Sequence, residues 1–521
     1  MDRFGKIMII AAIAVSLVII AVAFYFLRES IFSGQPDSSI ENNGADSKSH
    51  VPEPAPEDLL PNNLKIGKPA AQAVFQSSDG SPVPLEDVIQ SAYSDVWFSF
   101  GNGAFDREYE ALAAAYGMTL VTVGEPSGSE PSDAVYSDPE HACYALWGLQ
   151  TLPSDIVLDS GGAVVEYHAG ALKKSEAEGM LKRASLGRDK VSFAFIEGQM
   201  SDGEGGFYTN TDTRGNSPFG KDVLSESQGL MLMYALSVDD RVLFDKTWQF
   251  TKTNLLKNGI AAWYVSADGV SADVNALLDD LRIWFALYQA GQKWDGLYQE
   301  DASAMLAAVE NLCLDKKGRL VDFTDLNKGD KADTISLQYL DLTALKAMAE
   351  ADADFEPVYR NAEKILLEGR ISDEFPLYYK SYNYRSRSYD TGNLNTAEAL
   401  YTLWNLSRAG LLPEDTLEWL KEKVMAGTLG ARYRTNGDVV FGYDFHSTAV
   451  YGLAALIAQE AGDDEMYETA LRRMERKLIL DVNNELYGAY TQKGATIYSF
   501  DQLIPLLVNA ALNEKMADGS K

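Results

Sequence analysis

The chain has 521 residues, with 76 acidic against 45 basic side chains, a formal net charge of −31, and 46% hydrophobic residues. This length exceeds one ordinary domain and the apolar fraction can build real cores, while the acidity argues against nucleic acid, whose phosphates need a basic footprint, and disfavours strongly anionic glycans. Two cysteines, Cys143 and Cys313, make no disulfide framework, and the scattered His50, His141, His168 and His446 lack the spacing of a zinc site, so neither a metal nor a cofactor is expected.

In chain order, residues 1–6 carry Arg3 and Lys6 and read as a cytoplasmic N-terminus. Residues 7–27 form an apolar or weakly polar run long enough to cross a bilayer as a helix, which predicts a single-pass membrane anchor with the remainder extracytoplasmic. Ala21-Val22-Ala23 leaves open a cleaved signal and secretion. Residues 28–71, rich in Ser, Pro, Asn, Asp and Glu, read as a disordered tether.

From 72 to 185, short β-type runs (DVWFSFG, MTLVTVG, DIVLDS, AVVEYHAG) alternate with helical ones (DREYEALAAAY, HACYALWGL), predicting a small α/β domain. From 190 to 521 the pattern becomes helical. Helices are predicted near 224–237, 241–255, 272–290, 301–313, 335–350, 355–368, 394–409, 414–425, 447–461, 464–478 and 500–513. So many paired helices imply a closed ring of helical hairpins.

Glu226, in LSESQGLMLMYALSVDD, stands at the mouth of an otherwise apolar helix, where a carboxyl keeps its proton to higher pH and can serve as a general acid. A second reading of the same residues is a capping box, Ser225 capping and Gln228 reaching back. Acids, Trp and Tyr recur together through the segments that follow. Such a mixture suits sugar chemistry, in which acids cleave the glycosidic bond and flat rings cover the apolar sugar face.

Two resemblances sharpen this. WFSFGNGAFDREYEALAAAYGMTLVTV and ALWGLQTLPSDIVLDSGGAVVEYHAG are similar to the thioredoxin-like family, with Leu152-Pro153 at its cis-proline. The family's Cys-x-x-Cys falls on Asn102-Gly103-Ala104-Phe105, so redox activity is expected to be absent, leaving an inert scaffold or a module that docks a protein partner.

SESQGLMLMYALSVDDRVLFDKTWQFTKTNL with GIAAWYV, DDLRIWFALYQAGQKW, and SLQYLDLTALKAMAEADADFEPVYRNAEKIL resemble glycoside hydrolase family 8. That resemblance implies an (α/α)6 toroid that hydrolyses β-1,4-linked polysaccharide with inversion. It implies Glu226 as the acid and Asp280 against the sugar ring, with Arg282 where the family usually has a second Asp. For the base, order and context point to Asp390, although Asp-Thr-Gly-Asn is also good turn chemistry. Tyr339 is the candidate to hold the attacking water, Trp263, Tyr264, Tyr389 and Tyr208 are candidate sugar platforms, with core packing as the competing reading, and Arg385 is a candidate ligand for sugar hydroxyls.

The expected whole is a multidomain, membrane-anchored glycosidase of cell-surface or exopolysaccharide glycans. Its competitors are a non-catalytic glycan-binding scaffold and an (α/α)-toroid lyase. DLNKGDKAD from Asp325 lacks the ligand order of a calcium loop.

Overall fold

The computed structural model describes residues 63–101, 107–124, 136–138, 141–212, 220–443, 445, 447–491 and 495–519. The expected anchor at 7–27 and the Asn102–Phe105 segment lie outside these residues. No described helix is long and apolar enough to cross a membrane.

The N-terminal unit runs β1 (Val74–Ser77), β2 (Pro82–Pro84), α1 (Leu85–Ala92), β3 (Asp95–Phe100), α2 (Arg107–Ala115), β4 (Met118–Gly124), β5 (Tyr136–Ser137), α3 (Ala142–Trp147), β6 (Ser154–Leu158), β7 (Val164–Ala169) and α4 (Lys174–Leu186). The strands form one mixed sheet in the order β2-β1-β5-β4-β3-β6-β7. β4 runs parallel to β3 and β5, and β6 and β7 are antiparallel. Aromatic side chains fill one face: Phe75 stacks on Phe98 at 5.5 Å, and Trp147 meets Phe98 edge-on at 5.7 Å. The Leu152-Pro153 peptide is cis, as expected.

The helical region comprises α5 (Arg188–Gln199), α6 (Ser225–Ser237), α7 (Arg241–Asn254), α8 (Leu277–Lys293), α9 (Gln299–Cys313), α10 (Leu342–Ala351), α11 (Glu356–Glu368), α12 (Thr396–Arg408), α13 (Glu414–Ala426), α14 (Thr448–Ala461), α15 (Asp464–Glu475) and α16 (Ser499–Gly519). Helices α6, α8, α10, α12, α14 and α16 each pack on the next, and α16 returns to α6, closing an inner ring. Outside it, α7 covers α6, α9 covers α8, α11 covers α10, α15 covers α14 and α5 covers α16, with α13 beside α15. This is the (α/α)6 toroid.

The inner helices are buried nearly all round. In α14, every residue from Thr448 to Ala458 is buried, as its Ala- and Leu-rich composition dictates. Gly452 lets α14 and α16 approach closely, since a Cβ there would lie 2.7 Å from Ile504 Cγ2. The outer helices are more amphipathic, as in α15, where Met466, Ala470, Leu471 and Met474 are buried and Asp464 and Glu465 in the first turn are exposed.

Three expectations need correction. The tether was expected to reach 71, yet Leu64 and Ile66 are buried, and Leu64 O accepts a 3.1 Å hydrogen bond from Arg472 Nη2. Main-chain hydrogen bonds from Gly67 N to Val164 O at 2.8 Å and from Ala70 N to Gly162 O at 2.9 Å join these apolar side chains in docking the segment. The helix expected from 335 starts only at Leu342, because Thr334–Ser336 pairs with Ser381–Asn383 as a strand and Leu337–Tyr339 winds as a 3-10 turn. Finally, α5 was not anticipated: it buries Arg188, Asp189 and Ser192, which spoil the apolar stripe that marks a helix.

The two units join through buried charge. Arg183 and Arg188 each donate to Glu166, at 2.8 and 2.7 Å, and both reach Glu475 on α15. Tyr167 donates to Glu468 at 2.5 Å and accepts from Arg472 at 3.0 Å.

Candidate active site

In a ring of up-and-down hairpins the inner helices run parallel, so their N-termini gather at one mouth. Acidic residues occupy the first turns there: Glu226 on α6, Asp279 and Asp280 on α8, Glu398 on α12 and Asp501 on α16. The positive helix ends favour carboxylates in these places.

Glu226 is partly exposed between buried Ser225 and Ser227. The start of its helix is held from outside. The Ser225 N–H donates to Trp263 O at 3.0 Å, and the Ser225 hydroxyl donates to Asp279 Oδ2 at 2.5 Å. The capping-box reading does not hold. Gln228 instead accepts the Phe207 N–H at 2.9 Å and donates to Gly205 O at 2.8 Å, tying the 205–207 loop to α6.

Below Glu226 lies Arg282, 3% exposed. It donates through Nη1 to Asp279 Oδ1 at 3.0 Å, and through Nε and Nη2 to the Tyr401 hydroxyl at 3.1 and 2.8 Å. Burial opposes its charge, but Tyr401, Asp279 and Glu226 outweigh this and hold the guanidinium protonated.

Asp280 departs from expectation. It is fully buried, and its carboxyl oxygens accept the Ala261 N–H at 2.8 Å and the Asn275 amide at 2.7 Å. Burial pushes its pKa up to about 8. Both oxygens thus serve the protein, so Asp280 fixes the 261–275 loop instead of touching a sugar, and Asp279 is the member of the pair that meets Ser225, next to Glu226.

Asp390 is exposed at the same end of the ring, on the loop leading to Asn395, the N-cap of α12. Its Oδ1 accepts the Gly392 N–H at 2.9 Å, so the turn reading is realised. A turn of this kind also orients the carboxylate, and the two roles are compatible.

Of the aromatic candidates, Tyr208, Trp263 and Tyr264 come together around the start of α6. Tyr208 bridges to Val223, Tyr264 pairs with Leu224, and the Trp263 and Tyr264 rings meet edge-on at 4.7 Å. All three are partly exposed, as a sugar platform requires. Tyr339 is buried on the turn before α10. Tyr389 is a correction: its hydroxyl donates to Ile365 O at 2.7 Å and its ring stacks on Tyr379 at 5.5 Å, which commits it to packing. Arg385 is a second, its highly exposed side chain forming a surface ion pair with Asp333.

Glu398 was passed over in the sequence. It is 7% exposed and lines a small cleft with Gln338, Tyr379, Lys380 and Asn395. The available signal was an acid in the first turn of an inner helix. Asp501 lines a neighbouring cleft with Asn395 and Ser447; burial raises its pKa, against the Ala449 N–H, Lys477 and Ser447. Among the described residues no cluster of His, Cys, Asp and Glu has the form of a metal site.

The model of the glycosyl hydrolases family 8 matches residues 208–327, which hold Glu226, Asp279 and Trp263. A Bacillus subtilis (strain 168) protein described as "Putative lipoprotein YdaJ" is 30% identical over 297 residues, 56% of this chain and 79% of that one. An endoglucanase of Pseudomonas fluorescens (strain SBW25) is 35% identical over 96 residues, 16% of this chain and 24% of that one. Among solved structures, an α-amylase from Clostridium perfringens superposes with a TM-score of 0.58 at 31% identity, over 62% of this chain and 97% of that one. With the closed helical ring and the acids at its mouth, these likenesses make the chain a glycoside hydrolase that belongs to the glycosyl hydrolases of family 8.

Proposed function

We propose that this hydrolase cleaves a β-1,4-linked glucan within the chain, with inversion at the anomeric carbon. The observation that carries the reading is Glu226, partly exposed at the ring mouth on a helix start held by Trp263 and Asp279. In this mechanism Glu226 protonates the departing glycosidic oxygen. Asp390 takes a proton from the water attacking the anomeric carbon, and Tyr208, Trp263 and Tyr264 carry the sugar's apolar faces. An inverting pair needs carboxyls roughly 6.5–9.5 Å apart, room for that water.

A second reading, an α-linked glucan, is favoured by one observation: the likeness to the Clostridium perfringens α-amylase spans nearly that whole chain, whereas the endoglucanase likeness is short. A reducing-end assay over cellulose, mixed-linkage β-glucan, xylan, chitosan and starch, with wild type and Glu226→Gln, decides. Cleavage of a β-glucan that the substitution abolishes supports the first reading; cleavage of starch alone supports the second. Unsaturated products would identify a lyase, and binding without cleavage a scaffold.

We further propose that the apolar run at 7–27 anchors the enzyme with its ring outside the cytoplasm, where it processes cell-surface or exopolysaccharide glycan. The N-terminal unit reads as a redox-inactive thioredoxin-like module that docks a protein partner. Its parallel β3 and β4 beside the antiparallel β6 and β7 support that reading. Membrane fractionation of the full chain tests the anchor.

A further inference from the structure

We propose that Arg282 is a positioning residue for the proton donor, acting on Glu226 through Asp279 and Ser225; this rests on Glu226 being the general acid.

The chain of contacts is continuous. Tyr401 on α12 accepts two N–H groups of Arg282, Arg282 donates to one oxygen of Asp279, and the other Asp279 oxygen accepts the Ser225 hydroxyl. Ser225 directly precedes Glu226. Three inner helices, α6, α8 and α12, are therefore tied together immediately under the acid.

The packing is matched to this arrangement. Gly229 lies one helical turn beyond Glu226, on the same face, where a Cβ would come within 2.9 Å of Arg282 Cδ. Only the missing side chain lets the arginine stem pass beneath the acid. The guanidinium also lies over the Tyr401 ring at 5.2 Å, which fixes its plane, and the Asp279 carboxylate that it touches favours its charge. A buried charge with these partners has one low-energy placement, so it transmits a fixed geometry to the start of α6. A misplaced acid donates its proton late, and that cost falls on substrates whose leaving group needs protonation.

The experiment compares wild type, Arg282→Met, Arg282→Lys, Tyr401→Phe, Glu226→Gln and the Glu226→Gln/Arg282→Met double variant. The substrates are phenyl and 2,4-dinitrophenyl oligoglucosides in the linkage that the wild type cleaves. The expected result is that Arg282→Met lowers kcat on the phenyl substrate by about thirtyfold with KM nearly unchanged, and loses little on the dinitrophenyl substrate, which needs no acid. Arg282→Lys recovers part of the loss, and the double variant is no slower than Glu226→Gln alone. If Arg282→Met does not fold, Tyr401→Phe carries the test, with a smaller loss confined to the phenyl substrate. Equal losses on both substrates, or additive losses in the double variant, overturn the role of Arg282 while leaving Glu226 as the acid. A Glu226→Gln enzyme that cleaves the phenyl substrate at the wild-type rate overturns both.

Discussion

Arg183 and Arg188, on successive helices, bring their guanidinium groups to a single carboxylate, Glu475, and both side chains are 2% exposed. Glu166 holds their other ends. Two cations are thus balanced by two anions at the seam between the sheet unit and the ring. Glu475→Gln leaves one anion for two buried arginines, and breaking such a network costs about 3–5 kcal/mol. Urea unfolding should show a lowered midpoint, and hydrogen exchange should rise first in α4 and α5. An unchanged midpoint would mean that water screens the seam.

The same seam depends on one glycine. A Cβ at Gly179 would lie 1.8 Å from Leu480 O, so Gly179→Ala must push α4 off the 479–490 segment. The expected outcome is loss of more than about 2 kcal/mol, read as a drop in thermal midpoint, despite alanine's better helix propensity.

Asp280 makes stability depend on pH in the less common direction. Its folded pKa is raised, to about 8 against an ordinary 3.8, so between those values the folded chain holds a proton that the unfolded chain has released. This contribution is complete below pH 4 and fades as pH rises towards 8, at up to about 1.4 kcal/mol per unit. Denaturant titrations across that range should show Asp280→Asn with a flatter profile than wild type. Parallel profiles would show that the carboxyl is ionised when folded.

Gly229→Ala tests the space under the acid with a minimal change. The added methyl displaces Arg282, so kcat should fall by about tenfold while the melting temperature moves little, because a helix-propensity gain of about 1 kcal/mol offsets the crowding. A full-rate enzyme would show that the arginine yields without consequence.

Gln228→Ala removes the partners of Phe207 N–H and Gly205 O, both buried. Leaving these groups unpaired should cost about 2–4 kcal/mol. Proteolysis should then cut first in the 201–212 loop.

Much of this molecule was legible in its sequence. Apolar stripes located the outer helices and long apolar runs rich in Ala and Leu the inner ones, and Glu226 was conspicuous as an acid in apolar company. The errors share a cause. Asp279 and Asp280 are neighbours, yet adjacent residues on a helix point about 100° apart, so one meets Ser225 and Arg282 while the other enters the core. Composition cannot tell which is which without the rotation of α8. Likewise Tyr389 and Trp263 have equal claims as rings, and only the carbonyl of Ile365, distant in sequence from the loop's own chemistry, assigns Tyr389 to packing. The missed α5 was hidden because its buried face carries charge whose partner, Glu475, lies far along the chain.

That α5 rests on α16 has a consequence for biosynthesis. The first and last members of the ring are separated by most of the domain's length, so hairpins emerging from the ribosome stack as an open arc with one apolar edge unsheltered. Closure waits until residues from Ser499 onward are available, and until then the open arc keeps an apolar edge on which chains can aggregate.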